Sequence, residues 1–251
     1  MDETILEIND LSLSLDGRQI LRSVSFSVPA GQITCLVGES GSGKSLTVSS
    51  VLGLLPSGAV LLPRSRIDFR GKDIFSVYQD PINSFNASVR VGRQLYEMAR
   101  GYRPMTRAAF ESGISGVLRR LNFRDPAAVL KKYPFELSGG MLQRLMIACA
   151  IFVAPSFIIA DEPTTALDVS IQKEILRELR AINSEFGIAI LVVTHDFGVV
   201  AELADRVVVM HGGRVVEEGD VFELFDHPKN DYTRRLLEAS FREVTIHASE
   251  R

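Results

Sequence analysis

The chain has 251 residues, which is enough to bury a substantial core as one large α/β domain, with or without a subdomain. Its hydrophobic content of 46% and charged content of 24% are ordinary for a globular protein. The formal net charge of −3 argues against a nucleic-acid-binding protein, whose surface is usually strongly basic, and we expect no nucleic-acid partner.

Neither a membrane span nor an export signal is predicted. The longest apolar run, residues 145–154, falls short of the roughly 18 residues that a transmembrane helix needs. The acidic start Met1-Asp2-Glu3-Thr4 lacks the basic region of a signal peptide. Cys35 and Cys149 lie in apolar runs without metal-like spacing, as is typical of core residues in a reducing compartment. We therefore expect a cytoplasmic protein.

Apolar and polar residues alternate along the first part of the chain. The alternation covers residues 6–8, 11–15 and 24–28, and it is broken at Asp16-Gly17 and at Pro29-Ala30-Gly31. This pattern predicts short antiparallel strands. Residues 32–37 are mostly apolar and predict a buried strand, and residues 46–54 predict a helix.

A glycine-rich segment joins that strand to that helix: Gly38-Glu39-Ser40-Gly41-Ser42-Gly43-Lys44-Ser45. It matches a phosphate-binding loop at every required position. Glycines allow backbone N–H groups to surround phosphate oxygens, and the helix N-terminus adds about half a positive charge. We predict that Lys44 reaches the β- and γ-phosphates of a nucleoside triphosphate and that Ser45 holds Mg²⁺. A Gly/Ser-rich surface turn is the alternative, and the flanking strand and helix argue against it.

The middle of the chain changes to a helical pattern. Residues 94–98, 110–121 and 127–133 predict helices, punctuated by Gly101, Pro104 and Pro126. The shift predicts a helical subdomain at about residues 88–150, inserted into a single domain of residues 1–251.

Strands and helices alternate in the last part of the chain. Residues 157–160 and 188–193 are apolar strands on either side of a predicted helix at 170–186, which indicates a parallel sheet covered on both faces. Residues 206–210 and 214–217 flank His211-Gly212-Gly213 and predict a hairpin. The predicted fold is therefore an α/β P-loop NTPase core with a mixed parallel sheet, an N-terminal antiparallel β subdomain and an inserted helical subdomain.

Two carboxylates follow the strand at residues 157–160. Asp161 lies at the carboxyl edge of the predicted sheet, where an acid can hold Mg²⁺ through water. Glu162 points in a different direction and suits a general base for the water that attacks the γ-phosphate. The alternative is a pair of solvated acids that cap the next turn.

A second glycine-rich segment, Leu137-Ser138-Gly139-Gly140, opens the apolar helix predicted at residues 141–152. Ser138 resembles an N-cap with exposed N–H groups behind it. Alone, this is simply a good helix start. In a chain with a phosphate loop it suggests a second half-site for a nucleotide. Because the phosphates in the same protomer are already enclosed, we infer a dimer.

The order of these segments resembles that of an ATP-binding cassette (ABC) ATPase over almost the whole chain. The resemblance makes Gln79 the Q-loop glutamine, which senses Mg²⁺ and couples to a membrane partner, and makes Ala166-Leu167-Asp168 the D-loop. It makes His195 the switch histidine that contacts the γ-phosphate. Two such cassettes would enclose two ATP molecules, each between one phosphate loop and Ser138 of the other chain. Taken alone, Gln79 is a polar loop residue and His195 a strand-end histidine.

Further stretches resemble ATPases of peptide and nickel importers. Gln79-Asp80-Pro81-Ile82-Asn83-Ser84-Phe85-Asn86 is similar to their QDPxxSxNP stretch, and residues 227–237 are similar to their HPxxxYTxxLL tail. Residues 133–148 resemble nickel-import ATPases of the NikD type, since peptide-import relatives more often carry Arg where Leu142 stands. The resemblance implies an ATP hydrolase that powers nickel import, with a dipeptide or oligopeptide importer as the alternative.

The resemblance also implies partners. These are a second ATPase subunit, like or unlike, two transmembrane permease subunits, and a periplasmic or extracellular solute-binding protein, with the chain on the cytoplasmic face of the inner membrane. Four features depart from the family pattern. Met141 and Ala87 stand where Gln and Pro are commoner, no aromatic residue lies around residues 13–17, where a ring often stacks on adenine, and residues 62–79 are short, which predicts a trimmed hairpin. A non-transport ABC ATPase and a P-loop kinase or GTPase are further alternatives. Non-transport ABC ATPases usually carry long coiled-coil insertions or two cassettes in one chain, and this sequence has neither.

Overall fold

The computed structural model of the chain describes residues 3–164 and 169–249. In chain order, its strands are β1 (Thr4–Leu15), β2 (Arg18–Pro29), β3 (Ile33–Val37), β4 (Ala59–Leu61), β5 (Arg66–Phe69), β6 (Ile74–Val77), β7 (Phe157–Asp161), β8 (Ala189–Thr194), β9 (Arg206–His211) and β10 (Arg214–Asp220). Its α-helices are α1 (Lys44–Leu52), α2 (Val91–Tyr102), α3 (Arg107–Arg120), α4 (Pro126–Leu130), α5 (Gly139–Val153), α6 (Val169–Phe186), α7 (Phe197–Leu203), α8 (Val221–Asp226) and α9 (Asp231–Ser249).

The chain divides into two compact units. The first unit combines Met1–Gly71 with Ala189–Arg251, and the second is Lys72–Ile188. The predicted helical subdomain at about residues 88–150 falls within the second unit, and its exact bounds stay a prediction.

An antiparallel sheet is built by the N-terminal strands of the first unit. β1 pairs with β2, β4 and β5, always antiparallel. β1 and β2 have 12 residues each and are longer than the short strands predicted. β1 extends through the break in the alternation between Ile8 and Leu11 because its pairing with β2 shifts register there. Asp10, within this shift, has a positive φ of 51°. Such a bulge breaks the alternation of side chains without ending the strand.

A mixed sheet in the same unit has the strand order β10-β9-β3-β8. β3 runs parallel to β8 and β9, while β9 and β10 form the predicted antiparallel hairpin. Every residue of β3 and β8 is buried, as expected for apolar strands covered on both faces. The predicted α/β fold with a mixed sheet and N-terminal antiparallel strands is confirmed.

The second unit contains the parallel pair β6–β7 and the helices α2 to α6. Its core is built around α5, whose apolar side chains are buried nearly all round. Phe152 of this helix meets Phe110 of α3 edge to face, with ring centroids 5.4 Å apart. The helices predicted between residues 94 and 133 are present as α2, α3 and α4.

Two cysteines lie in the cores of the two units. Cys35 in β3 and Cys149 in α5 are free thiols and are buried. Burial raises the pKa of Cys149 to about 12, and burial together with the charge of Asp205 raises the pKa of Cys35 still further. Both thiols therefore stay protonated at neutral pH.

Helix length and hydropathy together test for a membrane span. Within residues 3–164 and 169–249, we find no helix with both the length and the apolar character required to cross a bilayer.

Candidate nucleotide-binding site

The predicted phosphate loop connects β3 directly to α1 in the first unit. Gly38, Gly41 and Gly43 have positive φ values of 151°, 81° and 107°. A Cβ atom at Gly38 would collide with the backbone oxygen of Met210, and one at Gly43 would lie 2.6 Å from Cδ2 of Leu21. Glycine is therefore required at Gly38 by space as well as by conformation. At Gly43 the conformation favours glycine, and the Leu21 side chain would have to shift to make room for a Cβ atom.

Lys44 is the first residue of α1 and is only 5% exposed. Its Nζ donates hydrogen bonds to the carbonyl oxygens of Gly38 at 2.6 Å and Glu39 at 3.0 Å. The ammonium group is thereby folded back over the loop at the N-terminal end of α1. The helix dipole favours a bound anion at this end.

Further features of the loop fit phosphate groups. The Oγ atom of Ser42 is buried and has no hydrogen-bond partner among the described residues, which is uncommon for a buried hydroxyl. Gly43 is the N-cap of α1, and no side chain in the described part of the chain caps the helix there. Ser45, in the first turn, is exposed. The loop thus offers backbone N–H groups, a buried hydroxyl and an ammonium group to an anion.

His195 lies next to the start of the loop. In the parallel β3–β8 pair, Val37 is the register partner of Thr194. Gly38 and His195 therefore follow paired residues and leave the sheet side by side at its carboxyl edge. The exposed position of His195 at this edge agrees with the position that the sequence predicts.

The second unit holds Gln79, Asp161 and Glu162. In the parallel β6–β7 pair, Val77 is the register partner of Ala160, so Gln79 and Glu162 each lie two residues beyond paired positions. Nε2 of Gln79 donates a hydrogen bond of 2.8 Å to Oε2 of Glu162. The structure therefore joins two residues that are 83 positions apart in the sequence.

The backbone of Glu162 is unusual. Its φ of 44° lies in the left-handed region, which non-glycine residues adopt at a cost of about 1–3 kcal/mol. Asp161, just before it, ends β7. That the two carboxylates point in different directions stays a prediction.

The donor atoms predicted for Mg²⁺ fit that ion in kind. They are the hydroxyl of Ser45, the amide oxygen of Gln79 and the carboxylate of Asp161, all hard oxygen donors. No cluster of three or more His, Cys, Asp or Glu side chains that could hold a metal occurs among the described residues. One carboxylate beside two neutral oxygen donors suits Mg²⁺, which takes one or two carboxylates and keeps water and substrate phosphates as its other ligands.

Ser138 is the N-cap of α5, as predicted. Its Oγ accepts a hydrogen bond of 3.3 Å from the backbone N–H of Met141. The helix begins at Gly139, two residues before the predicted start, so that Gly139 and Gly140 form its first turn. Ser138 is exposed, and its segment presents a helix N-terminus to the outside of the second unit.

Sequence reasoning missed Gln143 of α5. This side chain is 2% exposed, and its Nε2 donates to the carbonyl oxygen of Pro163 at 3.1 Å. It therefore ties the helix that Ser138 begins to the residue directly after Glu162. The amide of Gln143, which with Arg144 interrupts a mostly apolar helix, is the signal that could have revealed it. The predicted D-loop, Ala166-Leu167-Asp168, lies outside the described residues.

Comparison with known proteins decides the family. The family profile described as "ABC transporter" matches residues 21–165, which is more than half of the chain. The chain belongs to this family. It is 37% identical over 260 residues to the probable D,D-dipeptide transport ATP-binding protein DdpD of Escherichia coli (strain K12), covering 96% of this chain and 79% of that protein. It is 38% identical over 255 residues to the dipeptide transport ATP-binding protein DppD of Bacillus subtilis (strain 168), covering 94% and 76%.

A solved structure shows the same fold. The ABC transporter subunit cbiO1 from Clostridium perfringens, described as part of the complex cbiONQ, matches with a TM-score of 0.76 at 26% identity. The match covers 100% of both chains. As an ABC transporter ATP-binding subunit, this chain binds ATP and hydrolyses it in connection with transport. Family membership also implies permease partners and pairing with a second ATP-binding subunit.

Proposed function

We propose that this chain is the ATPase subunit of an ABC importer that takes up short peptides. The identity of 37–38% over nearly the whole chain to two ATP-binding proteins named for dipeptide transport supports this cargo class. The sequence pattern favoured nickel mainly because of Leu142. That side chain is 1% exposed within α5, and packing in the helix core accounts for it. Peptide import is therefore the better supported of the two alternatives.

The phosphate loop is proposed to hold the ATP. Its glycines keep the backbone close enough for N–H groups to reach phosphate oxygens, and Lys44 supplies the positive charge. Mg²⁺ is proposed to accompany ATP, with Ser45, Gln79 and Asp161 as the protein ligands, directly or through water. When bound, this ion would neutralise charge that develops on the phosphates.

Hydrolysis is proposed to depend on Glu162. As general base, its carboxylate accepts a proton from the water that attacks the γ-phosphate. The hydrogen bond from Gln79 restrains one carboxylate oxygen, which limits the directions that the base can take. His195 is proposed to contact the γ-phosphate from the carboxyl edge of β8.

Assembly completes the proposal. We assign Ser138, Gly139 and Gly140 to the ATP that a second ATPase subunit holds, so that two subunits close around nucleotide and reopen after hydrolysis. The helical subdomain at about residues 88–150 and the loop after Gln79 are assigned to contact with two permease subunits. This places the chain at the cytoplasmic face of the membrane, with an external solute-binding protein delivering the peptide.

Replacing Glu162 tests the catalytic assignment. We expect Glu162→Gln to lower the rate of ATP turnover by about 10²-fold or more, because a general base contributes about that much. The Kd for ATP should stay within a few-fold of the parental value, and the closed dimer should accumulate with ATP. Glu97→Gln, at an exposed position of α2, is the matched control. Parental turnover in Glu162→Gln would contradict the assignment of the base.

Uptake by cells tests the cargo. A strain that lacks this chain should lose uptake of labelled dipeptides and keep uptake of radioactive nickel, and the parental chain supplied in trans should restore the loss. The Glu162→Gln chain should fail to restore it. Loss of nickel uptake with dipeptide uptake intact would reverse the assignment.

A further inference from the structure

Tyr232 of α9 contacts the phosphate loop. Its Oη accepts a hydrogen bond of 3.2 Å from the backbone N–H of Glu39. The side chain is 8% exposed, and its ring lies against the imidazole of His211, with ring centroids 3.9 Å apart and planes 32° apart. Neither residue has a part in the function proposed above.

One peptide unit of the loop is held from two sides. The unit between Gly38 and Glu39 carries a carbonyl that accepts from Nζ of Lys44 at 2.6 Å and an N–H that donates to Tyr232. Because a peptide unit is planar, these two bonds together fix the rotation of the whole unit. Lys44 and Tyr232 thus restrain the entrance of the loop jointly.

The first unit also fixes the place of Tyr232 itself. Glu217 of β10 accepts hydrogen bonds from the backbone N–H groups of Lys229 at 2.7 Å and Asn230 at 3.1 Å. Oδ1 of Asn230 accepts from the N–H of Tyr232 at 2.8 Å, at the start of α9. His211 is the last residue of β9. The tyrosine ring is therefore held between a helix start and a strand end, both anchored in the mixed sheet.

The two restraints respond differently to phosphate. Phosphate oxygens compete with the carbonyls of Gly38 and Glu39 for the ammonium hydrogens of Lys44, and bonds between charged partners are the stronger ones. As Nζ moves toward a phosphate, its hold on the Gly38 carbonyl weakens. Tyr232 binds the opposite side of the same peptide unit and does not take part in this competition.

We propose that Tyr232, supported by His211, is a positioning residue for ATP binding, which keeps the Gly38–Glu39 peptide unit in its orientation while Lys44 engages the phosphates. The proposal deepens the proposed function and rests on the assignment of residues 38–45 as the phosphate loop. It gives the C-terminal helix a direct part in the affinity for nucleotide.

Removal of a single hydroxyl tests this role. In Tyr232→Phe the ring remains against His211, and only the bond to Glu39 is lost. We expect the Kd for ATP, measured by calorimetry, to rise about two- to tenfold, as expected for one neutral hydrogen bond. The thermal unfolding midpoint without ATP should fall by only about 2–4 °C, because the same hydrogen bond is lost from the folded chain. The Glu39 amide should exchange hydrogen faster in the presence of ATP.

A matched control separates the loop contact from general packing. Tyr96→Phe removes a hydroxyl that donates to the carbonyl oxygen of Met105 at 3.1 Å in the second unit, and it should leave the Kd for ATP unchanged. In a double-mutant cycle, His211→Ala should raise the Kd in the parental chain and have little further effect in Tyr232→Phe, because both changes act through one bond. If the effects of the two substitutions on the free energy of ATP binding were fully additive, His211 would not act through Tyr232.

Lys44→Ala distinguishes failure of this proposal from failure of the loop assignment. If Lys44→Ala loses ATP binding while Tyr232→Phe keeps the parental Kd and Glu39 exchange rate, the role of Tyr232 is wrong and the loop assignment stands. If Lys44→Ala binds ATP with the parental Kd, the loop assignment is wrong, and the role of Tyr232 falls with it.

Discussion

The helices α1 and α5 both begin at a glycine-rich segment, and they begin in different ways. The N-cap of α1 is Gly43 with a φ of 107°, and no described side chain caps that helix. The N-cap of α5 is Ser138 in an extended conformation, with its own hydroxyl bonded to the N–H of Met141. The first helix start is shaped by backbone conformation and leaves its N–H groups to a ligand. The second is an ordinary capped helix, whose proposed role depends on a nucleotide brought by another subunit.

Among the variants that test this difference, Gly38→Ala should have the largest effect on stability and on ATP binding. The new Cβ would collide with the backbone of Met210, so the loop has to move. We expect the free energy of unfolding in urea to fall by about 2–5 kcal/mol, the sum of about 1–3 kcal/mol for overpacking and about 1–2 kcal/mol for a side chain at a positive φ. ATP binding should weaken at least tenfold.

Gly41→Ala is the matched control for that change. Gly41 also has a positive φ, but no described atom lies within 4 Å of its Cβ position. It should lose only about 1–2 kcal/mol, from backbone conformation alone. Equal losses in the two variants would contradict the steric explanation for Gly38.

Ser138→Ala should have an intermediate effect. Loss of the cap should lower the free energy of unfolding by about 1 kcal/mol. Thr106→Ala is the control, since Thr106 caps α3 through a hydrogen bond of 3.2 Å from the N–H of Ala109. Both variants should lose similar stability, whereas ATP turnover should fall only in Ser138→Ala. A similar fall in turnover in both would reduce Ser138 to a structural cap.

Gly139→Ala should have the smallest effect and the opposite sign. Gly139 lies in the first turn of α5, and no described atom is within 4 Å of its Cβ position. Alanine is the better helix former, so urea unfolding should show a gain of up to about 1 kcal/mol. If Gly139→Ala lowered the free energy of unfolding as much as Gly38→Ala does, α1 and α5 would both require glycine at their N-terminal segments, and the difference described above would be wrong.

The parts of the site that depend on local sequence were predictable. The spacing of Gly38, Gly43 and Lys44 identifies the loop because a phosphate cradle tolerates few other arrangements. The apolar strands β3 and β8 follow from composition, and their ends place Gly38 and His195 at the carboxyl edge of one sheet. The cap at Ser138 follows from the residue type at a helix start.

The parts that depend on the tertiary fold were not predictable. The left-handed backbone of Glu162 uses a residue type that gives no signal for a positive φ. Aspartate tolerates a positive φ, but the residue type of Asp10 does not show that the strand continues through it as a bulge. The contact of Tyr232 with Glu39 joins positions 193 residues apart, and no local pattern specifies such a pair. The transported solute could not be predicted from the sequence either. The nickel prediction depended mainly on Leu142, which is buried in the packing of α5.

The burial of both native thiols makes the wild-type chain a convenient background for site-directed labelling. Maleimide reagents need an accessible thiolate, and Cys35 and Cys149 offer neither access nor ionisation. A cysteine introduced on the surface, for example at Phe135 or Phe222, would therefore carry the only reactive label on the described part of the chain. Fluorophores or spin probes at such sites would follow the ATP cycle without prior replacement of the native cysteines.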